Sequence, residues 1–277
     1  MRSRFPVART SALAALLVGA FLITQQAGGT HWRTLRPGLE FATVRGDPYC
    51  RYGSATIAAL RLDPSRVRIR VRHFTREPEL KPLDILEWQR RSGALAVFNA
   101  GQFYGDYAYM GLLASGGEVI SRPPHPKFKA ALVAGPHGRG AGARVLDLSH
   151  TDLDPDTLGW DEVAQSFMLF DRGGIVRVRH TDQVANRTAV AEDRSGRIVV
   201  LTTEGGYTLW DFATLLKGLP LGLSQAMAMD GGREAEMVVS VGRFRYASFG
   251  HWPHGRGVRD APPPPVTLPA VLTVSAP

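Results

Sequence analysis

The chain has 277 residues, 44% of them apolar, so it can bury a full hydrophobic core in one main domain. Its formal charge is +8, and leaving out the three arginines of residues 1–29, a stretch without acids, lowers it to +5. No dense basic run with interleaved aromatic residues accompanies this excess, which argues against a nucleic-acid partner. Cys50 is the only cysteine, so no disulfide can form within the chain, and we interpret it as a buried thiol.

The N-terminus has the pattern of an export signal. Arginines precede an apolar run at residues 11–23, in the order of a signal's basic and hydrophobic regions. The cleavage site is poor, however, and the 21 uncharged residues 10–30 can span a bilayer if they are retained. We therefore predict an export signal or N-terminal anchor in residues 1–29. The domain that follows is expected in the periplasm, outside the cell, or facing outward from the inner membrane, with residues 11–23 as its only membrane contact.

The first half of the domain predicts strands and one short helix. Two segments on either side of a turn-prone Gly-Asp-Pro have strand patterns: residues 39–44 and 54–62. In residues 66–72, apolar residues alternate with four arginines, and we favour a solvated sheet face there over an anion-binding one. Pro82 is predicted to open a helix that Gly93 ends. Residues 94–98 have the length and apolarity of a buried strand.

The second half predicts hairpins, a second helix and two more strands. The predicted hairpins are residues 110–121, 166–179 and 187–203. Gly196 supplies the positive φ that the third hairpin turn needs. Thr208 and Asp211 have the spacing of a capping box, which predicts a short amphipathic helix. The alternating residues 225–229 predict a buried strand, and the apolar residues 266–274 predict an edge strand after a run of prolines.

Hairpins with a few short helices favour an α+β fold, a mixed, largely antiparallel twisted sheet. A doubly wound parallel fold is disfavoured because strands and helices do not alternate. We therefore treat residues 30–277 as a single domain with a proline-rich C-terminal tail.

Polar clusters lie at the ends of predicted apolar strands at three points: residues 99–102, 186–188 and 230–232. Binding sites tend to form at such strand ends. The amides of Asn99 and Gln102 suit sugar hydroxyls, the planar fork of Arg187 suits a phosphate, and Asp230 can act as base or nucleophile. Taken singly, each cluster is also a common turn sequence, and Asp230 could instead cap the turn that follows it.

Four segments, in this order, resemble the phosphodiester glycosidase family: residues 98–103, 110–118, 187–189 and 229–232. The similarity extends over about residues 80–239. It implies an exported domain that hydrolyses the bond between a sugar's anomeric carbon and a phosphodiester. The chain departs from the family at Arg233 and Glu234, where small or hydroxyl residues are usual.

The predicted catalytic residues are Asp230, Arg187 and Glu204, with Glu234 as the other candidate for a second carboxylate. The predicted substrate-binding residues are Asn99, Gly101, Gln102, Phe103, Thr188, Gly231 and Gly232. No metal ligands or cofactor are predicted, since the His-x-x-His of residues 251–254 has no third partner nearby; a divalent cation such as calcium is left open.

The functional expectation is an exported hydrolase that cleaves a sugar-1-phosphodiester in an envelope or extracellular glycan. Its partner would be a carbohydrate or sugar phosphate. The alternative, suggested by Arg233 and Glu234, is a non-catalytic domain of the same fold that binds glycans or assists envelope assembly. A phosphodiesterase that cleaves the other P–O bond is a third possibility.

Overall fold

A computed structural model of the protein describes residues 30–138, 141–251 and 266–277. The predicted export signal or anchor at residues 1–29, His254 and the four prolines of the tail lie outside the described residues. Within the ranges described, no helix is long and apolar enough to cross a membrane.

The strands of the described residues are β1 (Arg33–Arg36), β2 (Leu39–Arg45), β3 (Tyr52–Leu62), β4 (Arg68–His73), β5 (Leu83–Asp84), β6 (Ala96–Asn99), β7 (Leu113–Ser115), β8 (Glu118–Ser121), β9 (Ala130–Pro136), β10 (Ala143–Asp147), β11 (Trp160–Ser166), β12 (Met168–Phe170), β13 (Thr188–Asp193), β14 (Ile198–Gly206), β15 (Leu223–Ala228), β16 (Met237–Val241), β17 (Phe244–Ser248), β18 (Thr267–Leu268) and β19 (Ala270–Ser275). The α-helices are α1 (Ile85–Ser92) and α2 (Leu209–Gly218).

The strands form three main sheets. The first has seven strands in the order β1-β2-β3-β14-β13-β15-β12, the second has five in the order β10-β9-β11-β7-β8, and the third has five in the order β17-β16-β6-β19-β4. A short ribbon pairs β18 with β5. The strand pairs of these sheets are antiparallel. The predicted α+β fold, largely antiparallel with few helices, is confirmed.

A common core lies where the three sheets meet, and the seven-stranded sheet is buried on both faces. Val200 of β14 points into the common core, while its neighbour Leu201 points to the opposite face, which α2 covers with Phe212. Because successive side chains of a strand point to opposite faces, burial on both sides requires a continuous apolar run. This explains why residues 198–201 are uniformly apolar.

The third hairpin and the second helix form as predicted. β13 pairs with β14 in the register Ala189 to Leu201, and Gly196 has φ of +78° in the turn. The hydroxyl of Thr208 accepts a hydrogen bond from the backbone N–H of Asp211 at 3.0 Å, which caps α2. In the antiparallel pair of β13 and β15, the start of β13 lies beside the end of β15.

The first helix begins later than predicted. Leu83 and Asp84 pair with β18, so α1 starts at Ile85, with the Asp84 carboxylate accepting from Glu87 N at 2.8 Å. Gly93 ends α1 in the left-handed region, as predicted.

Two predicted hairpins are also adjusted. The first strand of residues 110–121 begins only at Leu113, because the preceding N–H of Leu112 donates to the side chain of Gln165. Residues 175–179 form a single β-bridge, between Val176 and Phe170, and no strand. Asp171 accepts hydrogen bonds from Ile175 N and from Arg177, which fixes a loop.

The tail and Cys50 also differ from expectation, whereas the arginine face of β4 does not. β19 is an internal strand of the third sheet, between β6 and β4, and not an edge strand. Its side chains Leu272 and Val274 fill the common core. Cys50 is half-buried. Arg68 and Arg70 lie exposed on β4, as expected of a solvated face.

Candidate active site

The three predicted polar clusters meet at one end of the seven-stranded sheet. Three backbone hydrogen bonds join them: Asp230 N to Ala100 O (3.0 Å), Met229 N to Thr188 O (2.8 Å) and Gly232 N to Asn186 O (2.9 Å). This arrangement follows from the topology, since β13 and β15 are neighbours and the segment after β6 passes beside the end of β15. Residues separated by up to 130 positions therefore surround one place.

A cavity of about 860 Å³ opens at this place. Five of the predicted site residues line it: Gln102, Phe103, Arg187, Asp230 and Gly231. Another cavity, of about 520 Å³, lies beside Arg68 and Arg70 and contains none of the predicted site residues.

Asp230 follows β15 and presents a partly exposed carboxylate to the cavity. The pKa of Asp230 is raised from the ordinary value of 3.8 to about 7, mainly by burial and also by the nearby charge of Glu234, while the N–H of Gly231 and the charge of Arg187 act in the opposite direction. The Gly231 N–H donates to Oδ1 at 2.9 Å, while the short helical turn that follows has no side-chain cap hydrogen bond. Oδ2 has no hydrogen-bond donor among the residues that the structure describes, which leaves it accessible to a ligand.

Arg187 precedes β13, and its side chain is only 9% exposed. Nε donates to Tyr207 O at 3.0 Å and Nη2 to Gln183 O at 2.8 Å, which fixes the guanidinium plane. Burial lowers the pKa of Arg187 to about 10, while Tyr52 and Asp230 raise it. Within the described ranges Arg187 and Asp230 form no hydrogen bond to each other, although both line the cavity.

The glycine at position 231 allows these groups to lie close together. A Cβ there would be 3.0 Å from Asn186 O and 3.2 Å from Nη1 of Arg187. A larger residue would therefore push against the arginine that faces the ligand space.

The second carboxylate of the cavity is Glu234 and not Glu204. Glu234 lines the cavity, and burial raises its pKa. Glu204, predicted as catalytic, does not line it; its Oε1 accepts from the hydroxyl of Tyr246 at 3.0 Å. Glu204 lies in β14, whereas Glu234 is in the turn directly after Asp230, so of these two only Glu234 lines this cavity.

Four predicted substrate-binding residues hold the site together and do not line the cavity: Asn99, Gly101, Thr188 and Gly232. Asn99 is buried, and its amide donates to Asp230 O at 3.0 Å while its Oδ1 accepts from Glu236 N at 3.2 Å. Thr188 is likewise buried. Asn99 therefore positions the backbone of Asp230.

The remaining two glycine positions are backbone requirements. A Cβ on Gly101 would lie too close to the hydroxyl of Tyr109, which accepts from Gly101 N at 3.1 Å. Gly232 has φ of +78°, a conformation that favours glycine.

Gln102 connects the cavity floor to β11. Its Nε2 donates to Met229 O at 3.1 Å, and its Oε1 accepts from the Ser166 hydroxyl at 3.0 Å. With both ends of its amide bonded, Gln102 is a fixed part of the lining. Phe103 adds an aromatic ring beside it.

Four basic residues of the lining were not predicted: Lys127, Lys129, Arg177 and Arg179. The sequence signal for them is a repeated alternation, Lys-Phe-Lys and Arg-Val-Arg, in which the central residue is buried. This pattern indicates two basic residues on one side of an extended segment.

In the part of the chain that the structure describes, no group of three or more His, Cys, Asp or Glu residues is arranged to hold a metal ion.

A carboxylate of raised pKa and a fixed arginine that line one cavity suit the hydrolysis of an anionic substrate, with one group to activate water or attack and one to bind the anion. The sequence model of the phosphodiester glycosidase family matches residues 92–262. The chain belongs to the phosphodiester glycosidase family, which confirms the resemblance seen in the motifs. It is thus a member of a family of hydrolases. No curated protein is significantly similar to it in sequence.

Two solved structures are similar in fold. A hypothetical protein from Synechocystis aligns with a TM-score of 0.61 at 12% identity, over 91% of this chain and 64% of that one, so this chain spans less than two thirds of its length. The catalytic domain of zebrafish N-acetylglucosamine-1-phosphodiester alpha-N-acetylglucosaminidase, in a form auto-inhibited by its pro-peptide, aligns with a TM-score of 0.60 at 16% identity, over 90% and 87%. At such low identities, the TM-scores show a shared fold alone.

Proposed function

We propose that this protein is an exported hydrolase that cleaves a sugar-1-phosphodiester, at the bond between the anomeric carbon and the phosphate oxygen, in an envelope or extracellular glycan. The observation that carries the proposal is the placement of Asp230 and Arg187 in the lining of one cavity without a hydrogen bond between them. The family supplies the reaction class, and the zebrafish enzyme of similar fold is named for a sugar-1-phosphodiester substrate.

Arg187 is suited to bind the phosphate of the substrate. Two of its nitrogens are held by backbone carbonyls, so the guanidinium needs no reorganisation when an anion arrives. Burial makes its charge more effective, because a charge in a low-dielectric surrounding is poorly screened. A bound phosphate would compensate the desolvation that lowers the pKa of Arg187.

Asp230 is suited to act at the anomeric carbon. With a pKa of about 7, its carboxylate is a base matched to neutral pH. As a general base it would take a proton from water while the water oxygen bonds to the anomeric carbon. The carbon–oxygen bond breaks, and its electron pair leaves with the phosphate oxygen as a phosphomonoester. As a nucleophile it would form a glycosyl ester that water then hydrolyses.

Little general-acid assistance is needed, since a phosphate ester is a good leaving group. Glu234 has a raised pKa and lines the same cavity, so it can supply a proton to the leaving phosphate oxygen if one is required. Gln102 and Phe103 would position the sugar, by hydrogen bonding and by stacking. The site functions in this account without a metal.

The proposed location rests on residues 1–29, whose sequence pattern is that of an export signal or anchor. Fractionation of cells that express the full chain tests it. Recovery with the periplasm, the medium or the outer face of the inner membrane is expected, and a purely cytoplasmic protein would rule out the location.

The activity is tested by incubating the purified full chain with a panel of sugar-1-phosphodiesters in ¹⁸O-labelled water. The proposal expects the label in the released sugar, because the bond from carbon to oxygen breaks. Label in the phosphate instead would indicate a phosphodiesterase. Binding of the panel without turnover, by protein with a cooperative melting transition, would support the alternative of a glycan-binding domain.

A further inference from the structure

The cavity carries more positive charge than one phosphodiester requires. Its lining has five basic residues and two acidic ones, Asp230 and Glu234. Arg187 accounts for one negative charge of the substrate in the proposed function. Arg177 is already compensated, because its Nη1 donates to Asp171 at 2.9 Å. Three basic residues remain, namely Lys127, Lys129 and Arg179, and we call the part of the lining that they form the basic wall.

These three residues have no ion pair with any acid in residues 30–138, 141–251 or 266–277. Some basic residues elsewhere in the described structure are paired, for example Arg61 with Glu40 at 2.7 Å and Arg197 with Asp193 at 2.7 Å. Unpaired like charges that face one cavity repel each other, and an anion bound between them would remove that cost. The absence of acids on this wall is therefore a property that favours an anionic ligand.

The fold holds the three residues on the wall through two buried neighbours. Phe128 is 2% exposed and packs on Phe167 with ring centroids 4.4 Å apart, while Lys127 and Lys129 on either side of it are exposed and line the cavity. Val178 is buried in the same manner between Arg177 and Arg179. Two segments distant in sequence thus present basic side chains to the same space.

The size of the cavity allows a ligand larger than a single sugar phosphate. A volume of about 860 Å³ lies toward the upper end of the range of roughly 300–1,000 Å³ found for small-molecule sites. A sugar beside Asp230 and a phosphate at Arg187 leave room for a continuing leaving group along the basic wall.

We propose that Lys127, Lys129 and Arg179 form a second anion subsite, which binds a further phosphate in the leaving group of the substrate. The inference rests on the proposed function for the assignment of the first phosphate to Arg187. The substrate class is a sugar joined to a leaving group that itself carries phosphate, either a chain of phosphodiester-linked units or a diphosphate. A sugar phosphodiester with an uncharged leaving group occupies only the first subsite.

Calorimetric titration of the full chain tests the subsite without requiring turnover. The probes are inorganic phosphate, pyrophosphate and a short glycerol-phosphate oligomer. We expect the oligomer or pyrophosphate to bind about tenfold more tightly than inorganic phosphate, since one additional charge-assisted contact has that effect. Pyrophosphate as the tighter ligand would indicate a diphosphate leaving group, and the oligomer as the tighter ligand would indicate a phosphodiester chain.

The variant Lys127→Gln/Lys129→Gln/Arg179→Gln should lose this preference and bind inorganic phosphate as before. Its matched control is Lys81→Gln/Lys217→Gln/Arg243→Gln, which removes the same charge from exposed positions outside the cavity and should keep the preference.

Three results would overturn the subsite: an unchanged preference in the first variant, an equal loss in the control, or equally tight binding of a DNA oligonucleotide of the same charge. Activity separates this inference from the proposed function. If the protein hydrolyses sugar phosphodiesters with charged and uncharged leaving groups at the same kcat/KM, the subsite fails and the function stands. If nothing is hydrolysed but the binding preference depends on the three residues, the subsite stands alone.

Discussion

Replacing Asp230 by Asn should separate catalysis from stability, because the two change in opposite directions. Asn keeps the shape and can still accept a hydrogen bond from Gly231 N. It cannot act as base or nucleophile, so kcat/KM should fall by about 10²-fold or more. In the wild type, a base with a pKa of about 7 should give a kcat/KM that falls as the pH is lowered below neutrality.

The effect on stability follows from the same pKa. The folded-state pKa of about 7 lies above the ordinary 3.8, so the folded state binds more protons between these values and loses stability as the pH rises through them. The full difference corresponds to about 4 kcal/mol as an upper bound, and we expect about 1–2 kcal/mol because water in the cavity screens part of it. Asp230→Asn removes this cost, so it should be more stable than the wild type at pH 8 and equal to it below pH 4.

The assays are sugar release and thermal unfolding, each followed from pH 4 to pH 8. A gain of about 1–2 kcal/mol should raise Tm by several degrees, at about 2–4 °C per kcal/mol. If the activity of the variant stays near that of the wild type, and the difference between the two Tm values does not change with pH, the role of Asp230 is limited to its contact with Gly231 N. The assignment of the catalytic carboxylate would then be wrong.

Three further variants test the surrounding groups. Arg187→Lys should raise KM for a phosphodiester about tenfold and lower the free energy of unfolding in urea by about 1–3 kcal/mol. The reason is that a lysine cannot satisfy both backbone carbonyls and a phosphate. Unchanged kinetics would show that Arg187 does not bind the phosphate. Glu234→Gln removes a charge that raises the pKa of Asp230, so the acidic limb of the pH–rate profile should move to lower pH, and a limb that does not move would show that Asp230 is not the titrating group. Glu204→Gln should leave kcat/KM unchanged because Glu204 does not line the cavity; a large loss would place the reaction elsewhere.

The sequence predicts the elements of this protein better than their boundaries. The β13–β14 hairpin could be predicted because its turn chemistry is local: Gly196 provides the positive φ between two segments with strand patterns. The start of α1 could not, because the pairing of Leu83 with β18 is a contact between residues about 185 positions apart. Such a contact leaves no local pattern in either segment.

The same distinction holds for the candidate site. Asp230 and Arg187 could be identified because Asp230 follows one apolar strand and Arg187 precedes another. The sheet order makes these strands antiparallel neighbours and brings the two residues to one cavity. Asn99 has the same sequence context but points into the backbone network, a difference that only packing decides. The basic wall was missed because its two segments, residues 127–129 and 177–179, are distant in sequence, and only tertiary packing brings them to the same cavity.

The internal position of β19 sets the order in which the third sheet can be completed. β4 and β6 are made early, yet each keeps an unpaired edge until residues 270–275 emerge from the ribosome, about 200 residues after β4. The sheet is therefore completed only after nearly the whole described chain is synthesised, and until then the edges of β4 and β6 that β19 will cover are open to other chains. A premature stop or a proteolytic cut before residue 270 should thus yield an aggregating fragment and not a shortened enzyme. A chain that must remain unfolded to pass through a membrane channel would also benefit from this late closure.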